Sequence, residues 1–164
     1  MGESKVKVPM AFGTNLPPSL EKPAADMTLY RQMIGSLMHL RASRPYIMFS
    51  ICYCARFQAN PCEPHMMAVK NIFRYLKRTS SLGLWYTAKS GFFVQAFSDV
   101  DLGGCSLDRK STTGECQLLD GKLLSWQSKK QTCVSLSTAE AEYIVAVRAH
   151  HKSFGFKANF MTMA

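Results

Sequence analysis

Acidic residues in two short stretches are the side chains best suited to metal-ion chemistry. Asp99 and Asp101 lie in SDVD, at the end of a run with strand-like alternation. Glu142 lies in STAEAEYIVAV, residues 137–147, which has the apolar spacing of a helix. A strand-end aspartate and a glutamate from a helix packed across the sheet can converge on one Mg²⁺, which prefers hard oxygen ligands. Because Asp-x-Asp also occurs at ordinary strand exits, the spacing leaves both interpretations open.

The other glutamate of the helical stretch has a structural explanation. Ser137 is followed three residues later by Glu140, which is the spacing of a capping box. In this motif the serine oxygen accepts from the third helical N–H, and the glutamate reaches back to the N–H of the capping residue. Glu142 lies about 200° further round the helix. The sequence therefore predicts that Glu140 caps the helix and leaves Glu142 for another role.

Three cations on a predicted helix form a second candidate site. Lys70, Arg74 and Lys77 share one helix face and could follow a phosphate backbone, although charged helix faces are often simply solvated. The chain carries 20 Lys and Arg against 11 Asp and Glu, a formal charge of +9. This excess favours a polyanionic partner, either a nucleic acid or an anionic membrane surface.

The cysteines give a weaker signal. Cys52-x-Cys54 could bind a metal, but none of the six cysteines forms Cys-x-x-Cys, and the four histidines do not fall at zinc-finger spacing. We interpret the thiols as reduced and half-buried. The sequence shows neither the apolar segment of a signal peptide nor a membrane span. An intracellular location, in the nucleus or cytoplasm, is therefore expected.

The elements that must position these side chains are helices first and strands afterwards. Proline-rich residues 1–25 predict an irregular, solvated lead-in. Asp26 is predicted to cap a helix that runs to about Arg41. Two more helices are predicted by Pro at a first helical turn and by apolar residues at helical spacing, over 45–57 and 64–79.

The pattern changes to strands from Gly83. GLWYT and FFVQAFS are predicted strands, and ECQLL and KLLSWQS flank Asp120-Gly121, a dipeptide that favours a tight hairpin turn. The predicted fold class is α/β, more narrowly α+β, with N-terminal helices before antiparallel strands and one further helix.

Four motifs stand in order through the second half of the chain: SDVD, DRKSTTG, SWQSKKQ and STAEAEY. They resemble S-D-A-D, D-R-K-S-T-S-G, I-S-W-x-S-K-K-Q and S-T-x-E-A-E-Y of the ribonuclease H segment of copia-type LTR retrotransposon polyproteins. Upstream, LYRQMIGSLMHLRASRP and CARFQANPCEPHMMAVKNIFRYLKRTSSLGLWY resemble the end of the reverse transcriptase and its connection. The resemblance implies a helical connection remnant at 26–82 and a truncated, partial ribonuclease H-like domain at 83–148.

The resemblance also implies roles for the acidic residues. It places Asp99 at the first catalytic aspartate and Glu142 at the catalytic glutamate, with Asp101 as a neighbour. The family hydrolyses the RNA strand of an RNA–DNA hybrid with two Mg²⁺ ions about 4 Å apart. The implied cofactor is therefore Mg²⁺, and the implied partner is an RNA–DNA hybrid or another nucleic acid.

The family pattern is incomplete in this sequence. A two-metal site needs roughly four carboxylates to neutralise its cations, but no Asp or Glu follows Glu142. We therefore expect weak or no Mg²⁺ binding and no activity from the isolated chain. Residues 149–164 diverge from the family, and a permissible choice of codons from His150 onward gives the family-like peptide PQILWIQSQLHDYG in a shifted frame. We interpret this tail as frameshifted, which the coding DNA would reveal directly.

Two other interpretations stay open at this point. The chain could be a noncatalytic interaction protein with a protein partner, because copia-like proteins are also labelled secreted RxLR-type effectors delivered into host cells. Its nearest approach to R-x-L-R is Arg74-Tyr75-Leu76-Lys77, inside a predicted helix. The chain could also be a degenerate reading frame, whose incomplete sheet would leave unpaired edges and uncovered apolar surface.

Overall fold

The computed structural model describes residues 6–11, 13–16, 22–88, 91, 93–103, 109–132 and 134–147. The chain divides into two units, one on each side of the Leu84–Trp85 peptide bond. The first unit is helical, and the described part of the second contains an antiparallel sheet and one helix. The described chain is thus a mixed α and β structure. None of the helices within these ranges has the length and apolar character needed to cross a membrane.

Helix α1 spans Met27–Leu40 and begins where the sequence predicts. The side chain of Asp26 accepts a hydrogen bond of 3.0 Å from the backbone N–H of Leu29. This bond satisfies one of the donors that a helix N-terminus leaves unpaired, so the predicted cap is confirmed. The buried residues of α1 lie on one face and are Tyr30, Ile34 and Leu37.

Helix α2 spans Met48–Cys54 and is flanked by the 3₁₀ segments Pro45–Ile47 and Ala55–Phe57. The sequence predicts one helix over the same extent, and the structure divides it into a central α-helix with tighter ends. Such 3₁₀ turns are common at helix termini. Pro45 fits the first turn because the N–H that it lacks has no intrahelical partner there.

Helix α3 spans Glu63–Arg78 and is capped by a cysteine and a histidine. The backbone N–H of Cys62 donates to Nδ1 of His65 at 3.1 Å, and the Cys62 side chain accepts from the backbone of His65. Both residues are buried, and the His65 ring stacks on Phe57 with centroids 4.0 Å apart. The sequence pattern does not predict this cap, because Cys-x-x-His stands in place of the usual Ser-x-x-Glu.

The core of the helical unit is formed by α1, α2 and α3. Ile34, Ile51 and Ile72 are buried, one from each helix. The hydroxyl of Tyr30 donates to the backbone carbonyl of Cys54 at 2.7 Å, which joins α1 to the end of α2. Buried polar groups must find such partners to offset the loss of water. Packing and this hydrogen bond together define how the three helices meet.

The N-terminal segment is irregular and largely exposed in its described part, as predicted, but parts of it join the helical unit. Leu16 is buried in the helical core. The Ala25 N–H donates to the carbonyl of Pro61 at 3.0 Å, and the Glu63 N–H donates to the carbonyl of Pro23 at 3.1 Å. The expectation of a solvated tail is therefore wrong for Leu16, which is buried in the helical core, while Pro23 and Ala25 are held to the helical unit through their backbone groups.

The sheet is a meander with the order β1–β2–β3, and both strand pairs are antiparallel. Asp120 and Gly121 join β2 to β3 with φ values of 49° and 76°. A tight hairpin requires positive φ at both central residues, so the predicted turn is confirmed. The bounds of the three strands are Val94–Asp101, Thr112–Leu119 and Lys122–Lys130.

The strand predicted for GLWYT, residues 83–87, is not present. The side chain of Trp85 is 83% exposed, so the aromatic pattern does not correspond to a buried sheet face. The segment is held by a side-chain contact, because the Tyr86 hydroxyl donates to the backbone carbonyl of Leu123 at 2.6 Å. Strand β1 begins at Val94 and runs through SDVD to Asp101, further than FFVQAFS alone predicts.

Candidate metal-binding and nucleic-acid-binding sites

Strand β1 places Asp99 and Asp101 on the same face of the sheet, because side chains two residues apart point in the same direction. Both side chains are exposed. Oδ1 of Asp99 accepts a 2.8 Å hydrogen bond from the backbone N–H of Val100. The carboxylate therefore has one local partner and retains lone pairs that can bind a cation.

Strand β2 leaves space beside Asp99. Gly114 is its cross-strand partner, while Thr112 is the partner of Asp101. A methyl group built on Gly114 would meet only the backbone oxygen of Asp99, at an ordinary contact distance of 4.0 Å. The glycine therefore contributes an open surface next to the carboxylate.

Residues 138–147 form helix α4, which carries Glu142. The Ser137 hydroxyl accepts from the Glu140 N–H at 3.2 Å, as the capping-box spacing predicts. Oε2 of Glu140 accepts from the N–H of Leu136 at 2.8 Å, one residue earlier than the expected partner. Glu140 thus has the predicted capping role with a shifted partner, and Glu142 is exposed to solvent.

Gln131 connects α4 to the sheet. Its Nε2 lies 3.3 Å from Oγ1 of Thr113 and 3.3 Å from the carbonyl oxygen of Ala141. Its Oε1 accepts from the Ser135 hydroxyl at 3.1 Å, and the side chain is almost fully buried. Thr113 pairs with Val100 on β1. The first turns of α4 are therefore anchored to the sheet face on which the Thr113 side chain lies, opposite to the face of Asp99 and Gly114, because consecutive strand residues alternate.

Gln131 has no role predicted from the sequence. It is the last residue of SWQSKKQ, a motif that carries the resemblance but does not by itself indicate what this side chain contacts. A buried glutamine that donates and accepts at once can orient two elements rigidly, because each lost bond would leave a buried polar group unpaired. Gln131 is thus a positioning residue for the element that carries Glu142.

The described carboxylates are too few and too scattered to form a two-metal centre. Within the described ranges, no group of three or more His, Cys, Asp or Glu side chains is placed to hold a metal ion. Two Mg²⁺ ions require more carboxylate charge than Asp99 and Glu142 supply. The described residues therefore do not fit a complete two-metal centre, whereas Asp99 and its neighbour Asp101 offer oxygen ligands of the type that one Mg²⁺ uses.

The three candidate cations of α3 form one exposed face. Lys70, Arg74 and Lys77 are all exposed. The Nη1 of Arg74 donates to Oδ1 of Asn71 at 2.7 Å, which orients the guanidinium along the helix surface. We call Lys70, Arg74 and Lys77 the α3 cationic face.

The tetrapeptide that comes nearest to R-x-L-R, Arg74-Tyr75-Leu76-Lys77, also lies in α3. Its side chains lie on two different sides of the helix. Arg74 and Lys77 are exposed, whereas Tyr75 is buried and makes an edge contact with Tyr46 at a centroid distance of 6.1 Å. Leu76 packs against the helical core. The tetrapeptide is therefore not an accessible linear motif in the folded unit.

The described cysteines differ in accessibility and acidity. Cys54 and Cys62 are buried, while Cys52 and Cys116 are half-buried and all four are free thiols. Burial raises the pKa of the Cys54 thiol to about 12. Because metals bind the thiolate form, this environment opposes the alternative of a Cys52-x-Cys54 metal site. Cys105 and Cys133 lie outside the described residues.

Comparison with known proteins gives relatives that carry different names. The Pol polyprotein of the Nicotiana tabacum transposon TNT 1-94 is 42% identical over 71% of this chain and 9% of its own length. The Pol polyprotein of the Arabidopsis thaliana transposon RE1 is 36% identical over 84% of this chain and 9% of its own length. A protein of Plasmopara viticola named secreted RxLR effector protein 161 is 35% identical over 73% of this chain and 85% of its own length.

The chain spans about a tenth of the length of each transposon polyprotein, but most of the length of the Plasmopara viticola relative. No protein-family model matches the chain. No solved structure matches it either. The sequence relatives therefore carry the assignment, and two of the three are named as products of transposons. On this basis the chain is related to a segment of the retrovirus-related Pol polyproteins of transposons.

Proposed function

We propose that the chain derives from the end of the reverse transcriptase, its connection and the ribonuclease H of a copia-type element. In this proposal Asp99 and Glu142 are two carboxylates of a Mg²⁺-dependent site for an RNA–DNA hybrid. We expect no turnover by the chain itself, because the described residues contain no group of three or more side chains placed to hold a metal ion, fewer than a two-metal site needs. Its function is then that of a nucleic-acid-associated remnant.

One observation supports the site most directly. Asp99 and Asp101 are exposed on one face of β1, and Gly114 leaves open space beside Asp99. Gln131 ties the helix that carries Glu142 to Thr113 of β2, whose side chain points to the sheet face opposite to that of Asp99 and Gly114. The division of labour between Glu140 and Glu142 adds to this, since only Glu140 is used for capping.

The test uses Mn²⁺ as a paramagnetic probe of the Mg²⁺ site. We expect Mn²⁺ to broaden the amide signals of Val100 and Gly114 in the whole chain, and Asp99→Asn to reduce the broadening at least about threefold. Glu63→Gln, which removes an exposed carboxylate in the other unit, is the matched control. Equal broadening in wild type and Asp99→Asn would refute the assignment of Asp99.

An activity assay tests the proposal that the chain by itself does not cleave an RNA–DNA hybrid. The whole chain is incubated with a labelled RNA–DNA hybrid and Mg²⁺, and RNA cleavage is followed with Asp99→Asn and Glu142→Gln in parallel. We expect no cleavage above the level of either variant. Rapid cleavage by the wild-type chain that both substitutions abolish would show that the site is complete and would overturn the claim that the chain is inactive alone.

The name of the Plasmopara viticola relative describes that protein. The feature of this chain that comes nearest to such a name, Arg74-Tyr75-Leu76-Lys77, is partly buried in α3. An effector function therefore gains no support from the motif, and the ribonuclease H-derived function remains the one that the site favours.

A further inference from the structure

We propose that Ser80 is a phosphorylation site and that Arg44 binds the phosphate once it is attached. The modifying enzyme belongs to the class of protein kinases whose acidic substrate groove binds cations that precede the acceptor hydroxyl. The Ser80 hydroxyl oxygen forms a bond to the γ-phosphorus of ATP, the bond from that phosphorus to ADP breaks, and the hydroxyl proton passes to a carboxylate of the kinase. The site belongs to the helical unit and does not depend on Asp99 or Glu142.

The sequence contains three tetrapeptides in which two consecutive cations and one further residue precede a hydroxyl. They are Lys77-Arg78-Thr79-Ser80, Arg109-Lys110-Ser111-Thr112 and Lys129-Lys130-Gln131-Thr132. Cations in such positions attract an acidic groove and form charge-assisted contacts in it. An acceptor segment must also be exposed and must leave its own hydrogen bonds to enter the groove. The structure therefore separates three sites that the sequence pattern treats alike.

Two of the three hydroxyls are unsuitable acceptors in the folded chain. Thr112 is 4% exposed and lies within the sheet, in β2. Thr132 is exposed, but the two cations before it belong to β3, where consecutive side chains point to opposite faces. The N–H of the buried residue before it, Gln131, donates to the carbonyl of Ser111 at 2.8 Å. A kinase would have to break the pairing of β2 and β3 to use either hydroxyl.

Ser80 lies in a turn directly after α3, which ends at Arg78. Its side chain is exposed, and so are those of Lys77 and Arg78. Its hydroxyl makes no hydrogen bond within the described residues, whereas the Thr79 hydroxyl donates to the carbonyl of Tyr75 at 2.9 Å. Because the last turn of a helix frays at small cost, the segment around Ser80 can extend while the helical core stays intact.

The guanidinium of Arg44 lies against the backbone of this turn and is placed to receive a phosphate. Its Nη2 donates to the carbonyl of Ser80 at 2.9 Å, and its Nη1 donates to the carbonyl of Thr79 and the hydroxyl of Tyr46, both at 2.8 Å. These bonds use three of the five N–H donors of an arginine. A phosphate on Ser80 carries about −1.5 to −2 charges and forms strong, charge-assisted bonds with such donors.

The charges around the turn favour the phosphate. A negative group at the C-terminus of a helix is opposed by about half an elementary charge of the helix dipole. Against this stand three full positive charges, on Arg44, Lys77 and Arg78. The one acidic residue of 27–84, Glu63, lies at the other end of α3. The cations therefore outweigh the dipole.

The first experiment measures transfer of labelled phosphate from ATP to the whole folded chain. The probe enzyme is the catalytic subunit of cyclic AMP-dependent protein kinase, and mass spectrometry locates the modified residue. Synthetic peptides that contain each tetrapeptide with its flanks give the rates without folded structure. We expect the ratio of the folded-chain rate to the peptide rate to be at least about tenfold higher for Ser80 than for Thr112 or Thr132. Equal ratios, no transfer to Ser80, or transfer to Ser81 as fast as to Ser80 would overturn the proposal.

Two matched double variants test whether the cations before Ser80 direct the kinase. Lys77→Gln/Arg78→Gln and Lys129→Gln/Lys130→Gln each remove two positive charges and lower the formal charge from +9 to +7. The first should lower kcat/KM for Ser80 at least about tenfold through the loss of charge-assisted contacts, and the second less than about threefold. Circular dichroism checks that α3 is retained, since Gln has nearly the helix propensity of Lys and Arg. Equal effects of the two variants would show that only net charge matters and would overturn the proposal.

Removal of the phosphate by alkaline phosphatase tests the role of Arg44. The phosphorylated chain should lose its phosphate at least about threefold more slowly than the phosphorylated peptide, because the bound guanidinium shields it. Arg44→Gln should abolish this protection. Arg31→Gln is the matched control, since Nε of Arg31 also donates to a backbone carbonyl of the helical unit, that of Gln58 at 3.0 Å. Equal rates in the peptide, the wild-type chain and Arg44→Gln would refute phosphate binding by Arg44, and equal loss of protection in both variants would do the same.

Discussion

Asp99 and Gly114 are partners across β1 and β2, so the Asp99 carboxylate has no cross-strand side chain beside it on β2. Two substitutions at Gly114 fill this space and separate the effect of side-chain volume from the effect of side-chain charge. Gly114→Ala adds a methyl group that meets only ordinary contacts. Gly114→Lys adds a cation opposite the carboxylate.

For Gly114→Lys we expect Mn²⁺ broadening of the Val100 amide signal to fall to the level of Asp99→Asn. An opposite charge directly across a strand pair forms a favourable pair of about 0.2–1 kcal/mol and competes with a bound cation. Gly114→Ala is the control and should retain the broadening. Loss in both variants would indicate that the substitutions act on the sheet rather than on the carboxylate.

Ser137→Ala should destabilise the second unit by about 1 kcal/mol, because the Glu140 N–H loses its acceptor. Glu142→Ala on the same helix should change stability by less than about 0.5 kcal/mol, since its side chain is exposed. Both tryptophans, Trp85 and Trp126, lie in this unit, so urea unfolding followed by tryptophan fluorescence measures it selectively. A larger effect from Glu142→Ala would contradict the division between the two glutamates.

Gly121→Ala should destabilise the hairpin by about 1 kcal/mol or more, because φ is 76° at this position. Gly35 lies exposed within α1 and has no heavy atom within 4 Å of an added Cβ. Gly35→Ala should therefore stabilise the helical unit by about 0.5–1 kcal/mol. Tryptophan fluorescence reports the first change and far-UV circular dichroism the second. Unchanged stability in Gly121→Ala would contradict the positive φ of the hairpin, and destabilisation by Gly35→Ala would contradict the open space beside Gly35.

The helical unit should lose stability as pH rises above about 9. The Cys54 thiol has a folded pKa raised by burial to about 12 from an unfolded value of 9.0. The contribution of the Cys54 thiol to stability is therefore fully present below pH 9. It is lost progressively at higher pH, because the thiol ionises in the unfolded chain but stays protonated in the folded one. The pKa of the Tyr30 hydroxyl is also raised, chiefly by burial and to a smaller extent by its interactions with Cys54 and Cys62. This shift likewise lowers the stability of the unit as pH rises, but at higher pH than the shift of Cys54.

Urea unfolding followed by circular dichroism at a series of pH values checks this slope. The control is Cys54→Ala, because Cys54→Ser would bury a hydroxyl. Cys54→Ala should reduce the loss of unfolding free energy in the first part of this pH range. Iodoacetamide labelling with mass spectrometry gives a second readout, in which half-buried Cys52 should react well before Cys54. Equal labelling rates in the folded protein would rule out the buried environment.

Local signals were the part of the fold that sequence reasoning identified well. Asp26, Ser137 and Asp120-Gly121 each act through backbone groups within a few residues, so their chemistry does not depend on distant packing. The α3 stripe is similar, because Val69 and Ile72 repeat at helical spacing. These features could be predicted because the interacting groups are close in sequence.

The remaining features depend on contacts between distant residues. GLWYT has strand-like composition, but Tyr86 bonds to Leu123 and no ladder forms in this segment. Leu16 enters a core that only the folded helices create. Gln131 anchors α4 through Thr113 and Ala141, a pairing that requires the register of the sheet. Composition and periodicity do not contain this tertiary information.

The meander order of the sheet has a kinetic consequence. Each strand pairs with the strand that precedes or follows it in the chain, and a two-residue turn joins β2 to β3. Short loops close quickly, and topologies dominated by near-neighbour pairings fold faster than those that join remote segments. The hairpin can therefore form as soon as Lys130 has left the ribosome, and β1, already synthesised, can dock onto it without waiting for later residues.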